Sequence, residues 1–412
     1  MGAGSWLRRF ARTTPGVLGI GLVVTTVLCV SAGIVAAQAQ QERVARADQA
    51  LERSEPLAHA AQRLYVSLSA ADAGASAAFL SGGVESPQVR AVYEQALAEA
   101  AAALAETTTG ATDLATRTAV ARIAADLPTY TGYVETARAN NRQGFPVGSA
   151  YLKQASNVMQ TSLLPQAEEL TNARLAAVRA DQRAVSSVSA PSVVLLVLVL
   201  IACAALAFVL LRRTNRTVNR GVFAALGLTV IAFGWIVASA GAAQFLNLGS
   251  DARDRVENLS RARILAHQAR TEETLALITR GDITAPEAAF TAHVDELGSR
   301  LVAVGASDSE AERALTNWRA GHHTQLTAYK NAKYGEAVAQ AIGGGGDGSA
   351  ASFTRLDNHL QAGLTDARTD LRDGFDSTAT VLAPTPIGVL VLLFAAAGAV
   401  VAGLWPRMKE FL

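Results

Sequence analysis

Charge is missing from four long stretches of the chain. Arg12 to Glu42, Arg183 to Arg212, Arg220 to Asp251 and Asp376 to Arg407 each bracket about 30 uncharged residues, more than the roughly 20 that a helix needs to cross a bilayer. Cysteine is almost absent, and Cys29 and Cys203 both fall inside these stretches. The polar segments therefore carry no disulfide and rely on packing alone. None of the four stretches holds an acid, a base or a histidine, so the ionisable midplane groups that mark coupled transporters are missing. Catalytic signatures are missing as well. The chain has no His-Glu-x-x-His and no Gly-x-Ser-x-Gly, and GGGGDGS (343 to 349) has no basic residue behind it and reads as a flexible linker. His322 and His323 are adjacent, so on a helix they point about 100° apart and do not chelate one ion. His59, His267, His293 and His359 stand alone and read as surface or boundary residues. The expectation is a non-enzyme without cofactor, metal or nucleic-acid partner.

What charge there is falls unevenly. Basic residues in short loops favour the cytoplasmic side. The N-terminal tail has Arg8, Arg9 and Arg12, the loop LLRRTNRTVNRG (210 to 221) has Arg212, Arg213, Arg216 and Arg220, and the C-terminal tail has Arg407 and Lys409 against Glu410. These short segments total +8, whereas 38 to 190 and 244 to 383 together carry −7, so the overall +1 hides a strong asymmetry. The expected order is a cytoplasmic tail (1–14), a span (15–37), an extracytoplasmic bundle (38–190), a span (191–211) and a cytoplasmic loop (212–220). A span (221–243), a second bundle (244–383), a span (384–405) and a tail (406–412) complete it. AAQAQ (36 to 40) offers a small-x-small cleavage site, but the apolar run before it, about 22 residues, exceeds the usual 7 to 15 of a signal peptide and reads as an anchor.

The long polar segments are rich in Ala, Leu, Gln, Glu and Arg, and no stretch alternates like a strand. Phe353, Leu356, Leu360, Leu364, Ala367, Leu371 and Phe375 step by three or four and give one apolar helix face. Turns at SGGVESP (81 to 87), TTTG (107 to 110) and NNRQGFPVG (140 to 148) predict helices near 38–80, 88–106, 112–139 and 149–189. RGDITAP (280 to 286), GASDS (305 to 309) and GGGGDGS predict helices near 244–279, 286–303, 309–341 and 351–383. The same order occurs twice, an internal repeat. The fold class is all-α: four transmembrane helices and two tandem extracytoplasmic four-helix bundles. The long first and fourth helices outreach the short second ones, which predicts a shared stalk next to the membrane. Pro191, Pro384 and Pro386 predict kinks where chains return to it. Gly227, Gly234, Gly398 and Gly403 suit close packing of spans.

Polar residues worth testing lie on the repeats. Tyr65, Asp72, Arg263, Glu272, Glu273, Trp318 and Tyr329 are candidates for a pocket between helices; solvated faces and core-edge aromatics are the alternative. In an up-down-up-down bundle the first and third turns meet at the membrane-distal end. There SGGVESP would join NNRQGFPVG, and RGDITAP would join GGGGDGS, with Ser81 and Ser349 exposed. Glu85, Arg142, Arg280 and Asp282 on these turns are candidate partner-binding residues, because recognition concentrates on loops held by a rigid scaffold. Arg46 and Arg179 mark the stalk alternative.

Bundles flanked by two spans resemble the sensory halves of bacterial chemoreceptors and sensor kinases. Usage of 32 Arg against 4 Lys, the tandem plan and GSAYLKQASNVMQTSLLPQAEEL (148 to 170) resemble an actinobacterial four-span membrane protein family. Its members act with an extracytoplasmic glutamine/glutamate-type amino-acid-binding lipoprotein in the pathway to the soluble serine/threonine protein kinase G. The resemblance implies amino-acid sensing and relay to a cytoplasmic kinase, with no functional residue carried over. A homodimer is compatible with the plan. The alternative function is a structural cell-envelope scaffold that transmits nothing.

Overall fold

The computed structural model describes residues 14–82, 85, 87–111, 113–214, 219–246, 250–279, 281–306, 309–343 and 348–409. Among these, all regular structure is helical: α1 (Thr14–Gln49), α2 (Glu55–Leu80), α3 (Pro87–Thr109), α4 (Leu114–Arg142), α5 (Gly148–Val158), α6 (Leu164–Ser186) and α7 (Ala190–Thr214). The second half continues with α8 (Arg220–Leu246), α9 (Ser250–Thr279), α10 (Thr284–Ala303), α11 (Glu310–Lys330), α12 (Tyr334–Ile342), α13 (Ser349–Leu382) and α14 (Thr385–Lys409). Among the described residues, four helical stretches are long and apolar enough to cross a membrane, and they fall on α1, α7, α8 and α14.

Helix ends follow local chemistry. Asp113 caps α4 by accepting the Thr116 N–H, and Ser309 caps α11 by accepting that of Glu312. Gly144 and Gly305, at φ 72° and 68°, close α4 and α10 in the left-handed conformation. The same closure ends α11, but with Ala332 at φ 57°; Lys333 N–H bonds to the Ala328 carbonyl and Ala332 N–H to that of Tyr329. The expected continuous helix 309–341 is thus two helices. Two π turns, Ala50–Ser54 and Met159–Leu163, interrupt helices that otherwise continue, each ending two residues before a proline, Pro56 and Pro165. A proline without an N–H frees a carbonyl one turn back, and the wider turn accommodates it. Coil at 187–189 precedes Pro191, and a turn at 383–384 precedes Pro386, so both returning helices break where the prolines predict.

The chain divides into two compact units. One comprises Met1–Leu51, Ala180–Leu248 and Asp373–Leu412. Its core joins Cys29, Ala32, Leu196, Cys203, Ala232 and Leu393 from all four spans. Its outer face keeps Val23, Ile201, Val230 and Ile387 half exposed or more, an arrangement stable only in lipid. The protein is a multi-pass membrane protein. Of the four glycines the sequence suggests for close packing, only Gly403 is used, and its partner Gly221 was not among them. Gly227, Gly234 and Gly398 face open space, whereas a Cβ on Gly221 of α8 would overlap the Ala399 carbonyl and the Gly403 backbone of α14. Asn219 locks this crossing: its Oδ1 accepts the Gly221 N–H (3.0 Å), and its Nδ2 donates to the Gly403 carbonyl (3.0 Å). At the polar end of this unit, Ala47, Val185 and Leu382 bring α1, α6 and α13 together, and Arg43 donates to the Val185 carbonyl (2.8 Å). That is the stalk the helix lengths predict, with helices from both repeats.

The other unit comprises Glu52–Arg179 and Gly249–Arg372, which is both repeats together. Leu64, Leu68, Ala100, Ile123, Leu152 and Met159 form the core of the first repeat, and Ile264 and Ile278 of α9 pack into that same core. The two bundles therefore share a seam between α2 and α9. Helix α2 is buried on nearly every face, as a helix between two bundles must be. Arg261 pairs with Glu168, Arg368 donates to Gln62, and Arg179 lies 3.7 Å from Glu257, so polar links also cross the seam.

Candidate functional site

Each repeat buries one carboxylate completely, both about two helical turns before the end of the first helix. In the second repeat it is Glu273. Arg270 Nη1 (2.5 Å), Trp318 Nε1 (3.2 Å) and Ser349 Oγ donate to its carboxylate, and His322 Nδ1 lies 3.1 Å away. Burial, the largest influence, pushes the Glu273 acid up, but Arg270, His322 and Ser349 together outweigh it and bring it to about 2. His322 is held on its other side by Glu287 (Nε2 to Oε2, 2.9 Å) and stacks on Phe290 at 3.7 Å. One turn or two below, Arg263 forks onto Asp357 (2.7 and 3.1 Å), and His267 Nε2 meets the same carboxylate at 3.2 Å. Burial alone would raise Asp357, but His267 and Arg263 hold it well below the ordinary carboxylate value. Every buried acid here has a cation beside it, which is the condition for burying charge at tolerable cost.

The first repeat solves the same problem differently. Asp72 accepts from Ser156 Oγ (2.9 Å) and Gln160 Nε2 (3.3 Å), both neutral, while its Oδ1 and the hydroxyl of Tyr93 lack a hydrogen-bond partner. Burial raises the Asp72 acid to about 6 against the pull of Ser156, Gln160 and Tyr130. The π turn Met159–Leu163 contains Gln160. Above Asp72 a narrow cavity opens at the far end of the repeat, lined by Ala75, Phe79, Tyr93, Val134 and Leu152, with Glu85, Arg138 and Arg142 around it.

These positions sort the residues singled out by sequence. Glu273 and Trp318 touch; Arg263 belongs to the neighbouring Asp357 pair; Asp72 and Tyr65 sit in the first-repeat core; Tyr329 donates to the Gly281 carbonyl at 3.3 Å. Glu272 is half-buried, and burial raises its acid. The seven do not line one pocket. Of the turn residues, Glu85 pairs with Arg138, and Arg142 is exposed in the last turn of α4. Asp282 accepts the Thr284 N–H (2.9 Å) at the start of α10. Arg280 lies outside the described residues. The first and third turns of the first repeat do meet, through Asn141 Nδ2 donating to the Phe79 carbonyl (3.2 Å). In the second repeat, Gly281 meets Tyr329, beside the 331–333 break; residues 344–347 of GGGGDGS, expected to join this turn, lie outside the described residues. Ser349, expected on an exposed turn, is fully buried against Glu273.

Sequence reasoning missed His267, Arg270, His322, Glu287, Ser349 and Asp357. A signal was present on α9, where Val256, Leu259, Arg263, Ala266, Arg270, Glu273 and Leu277 step by three and four. Charges thus occupy three positions of an otherwise apolar seam, a mark of a buried polar network.

Residues 46–183 match the family model of the actinobacterial sensor domain. The match takes in the end of α1, the whole first repeat and most of α6, about a third of the chain. No curated protein and no solved structure matches. The likeness supports a sensory or signalling role, and it covers the repeat whose buried acid lacks a counter-ion.

Proposed function

We propose that the chain is a transmembrane sensor and signal relay. Its two repeats lie outside the cytoplasmic membrane and receive their stimulus from an amino-acid-binding lipoprotein; the output is a separate cytoplasmic serine/threonine kinase. The observation that carries this reading is the sensor-domain match over 46–183. The orientation is supported by the basic loop at 212–220. That loop is too short to fold as an enzyme, which supports an output carried by a separate protein. The most direct route is the run from Thr14 to Leu80, which has no coil residue and only one π turn. The docking surface is the turn cluster of the first repeat, where Phe145 and Val147 are exposed beside Arg142.

A tagged chain cross-linked and purified from native membranes should bring down an amino-acid-binding lipoprotein and a soluble serine/threonine kinase. Recovery of structural envelope proteins alone would replace the relay with a scaffold. Charge reversal at Arg142 should weaken capture of the lipoprotein, whereas Glu85 is unsuitable because its pairing with Arg138 supports the fold.

A further inference from the structure

The repeats differ in one respect that points to a ligand. In the second, the buried acid has Arg270 and His322 as internal counter-ions. In the first, no Arg, Lys or His is among the groups acting on Asp72, whose partners Ser156, Gln160 and Tyr130 are all neutral, and one carboxylate oxygen and the nearby Tyr93 phenol have no hydrogen-bond partner. Evolution rarely leaves a buried carboxyl without compensation, since the isolated charge costs several kcal/mol.

The tip cavity lies one helical turn above Asp72, which is itself fully buried beneath its floor. Ala75, Val134 and Leu152 line the tip cavity, and on the same three helices Asp72, Tyr130 and Ser156 stand three or four residues deeper, one helical turn beneath. Tyr93 joins the two levels: its ring lines the cavity, and its phenol is close enough to Asp72 to feel its charge. The cavity encloses about 410 Å³ including its open mouth, and its closed part accommodates one water-sized group. That is the size of an –NH3+ head alone, so the aliphatic stem would lie in the open mouth, which Glu85, Arg138 and Arg142 also line.

We propose that the tip cavity of the first repeat binds a primary ammonium group, with Asp72 as its counter-ion. Ala75, Val134 and Leu152 pack the aliphatic stem, and the Tyr93 and Tyr130 phenols accept hydrogen bonds from the ammonium. This goes beyond the relay reading, because it places a direct ligand in the sensor-like repeat itself.

The test uses the full chain in lipid nanodiscs at pH 7.5, with n-butylammonium as probe and n-butanol and butanoate as controls. Saturating butylammonium should raise the melting temperature by about 2–4 °C, and neither control should. Asp72→Asn should abolish the shift without lowering the melting temperature of the free protein, since an amide has no charge to compensate. Should that variant fail to fold, Tyr93→Phe is the second probe and should weaken butylammonium at least tenfold by calorimetry. An equal shift with butanol, a shift with butanoate, or a shift that survives Asp72→Asn overturns the proposal. Lipoprotein capture is scored separately, so loss of the relay with amine binding intact separates the two conclusions.

Discussion

His322 offers a quantitative test of how the second repeat is held together. Both of its ring nitrogens face carboxylates, Glu273 at 3.1 Å and Glu287 at 2.9 Å. A neutral imidazole has one N–H, and an ionised carboxylate only accepts, so bonding on both sides requires the imidazolium. Burial works against the charge, but Glu273 and Glu287 together raise His322 above its ordinary 6.5. The stabilisation this provides is complete below pH 6.5 and is lost as pH rises through the folded-state value, each unit of elevation contributing ~1.4 kcal/mol. His322→Ala removes two charge-assisted hydrogen bonds and the stack on Phe290, while Glu273 keeps Arg270, Trp318 and Ser349. The loss should be about 3–5 kcal/mol near pH 6 and should shrink on the alkaline side. Denaturant unfolding of wild type and variant across pH 5 to 9 measures the difference, and 15N spectra of the ring report its protonation directly. A ring that titrates at or below 6.5, or a variant whose loss is the same at every pH, refutes the reasoning.

Three further outcomes follow from other parts of the molecule. Ala332→Gly should stabilise the repeat unit by ~0.5–1 kcal/mol, read by thermal unfolding, because Ala332 sits at φ 57°, where a Cβ is strained. Gly221→Val should destabilise the span unit by about 1–3 kcal/mol, since the added side chain meets the Ala399 carbonyl; unchanged detergent resistance would show that the crossing is not tight. For orientation, single cysteines at Ser81 and Asn331, both exposed, should label with a membrane-impermeant maleimide in intact cells, and one at Thr214 should not. The native Cys29 and Cys203 are fully buried and give no background.

The all-helical fold, the four spans and most turns were legible because each has a local cause. Uncharged windows mark the spans, and Gly, Pro and small polar residues mark turns such as 81 to 87 and 140 to 148. The break at 331–333 escaped because the left-handed position holds alanine, in place of the glycine or asparagine that marks such a turn. The shared seam escaped because α2 packs on both repeats, and a periodicity argument sees a face without naming what covers it. Three of the four glycines singled out in the spans missed for a similar reason, Gly403 being the exception: spacing identifies a small residue, but only tertiary packing selects Gly221 over Gly227. Asp72 and Glu273 were visible as polar residues on apolar helices. That one has cations and the other lacks them depended on Arg270, His322 and Ser156, which reach them by folding, the last two from distant segments.

The π turn at Met159–Leu163 sets a rule for how this repeat tolerates changes in length. Connecting turns such as 143–147 lie outside the helices and absorb an added or lost residue without moving anything buried. One residue removed from the π turn would heal it into ordinary α-helix: five residues at the wider π spacing cover about the same rotation as four α residues at about 100° each, so the helix after it would keep its phase. Leu164, Ala167 and Leu170 would stay inside the core, and the change would fall on Gln160 and its bond to Asp72. Among natural variants of the repeat, a residue missing between Asn157 and Pro165 should therefore accompany loss of the π turn and of the Gln160 contact, with the core faces unchanged.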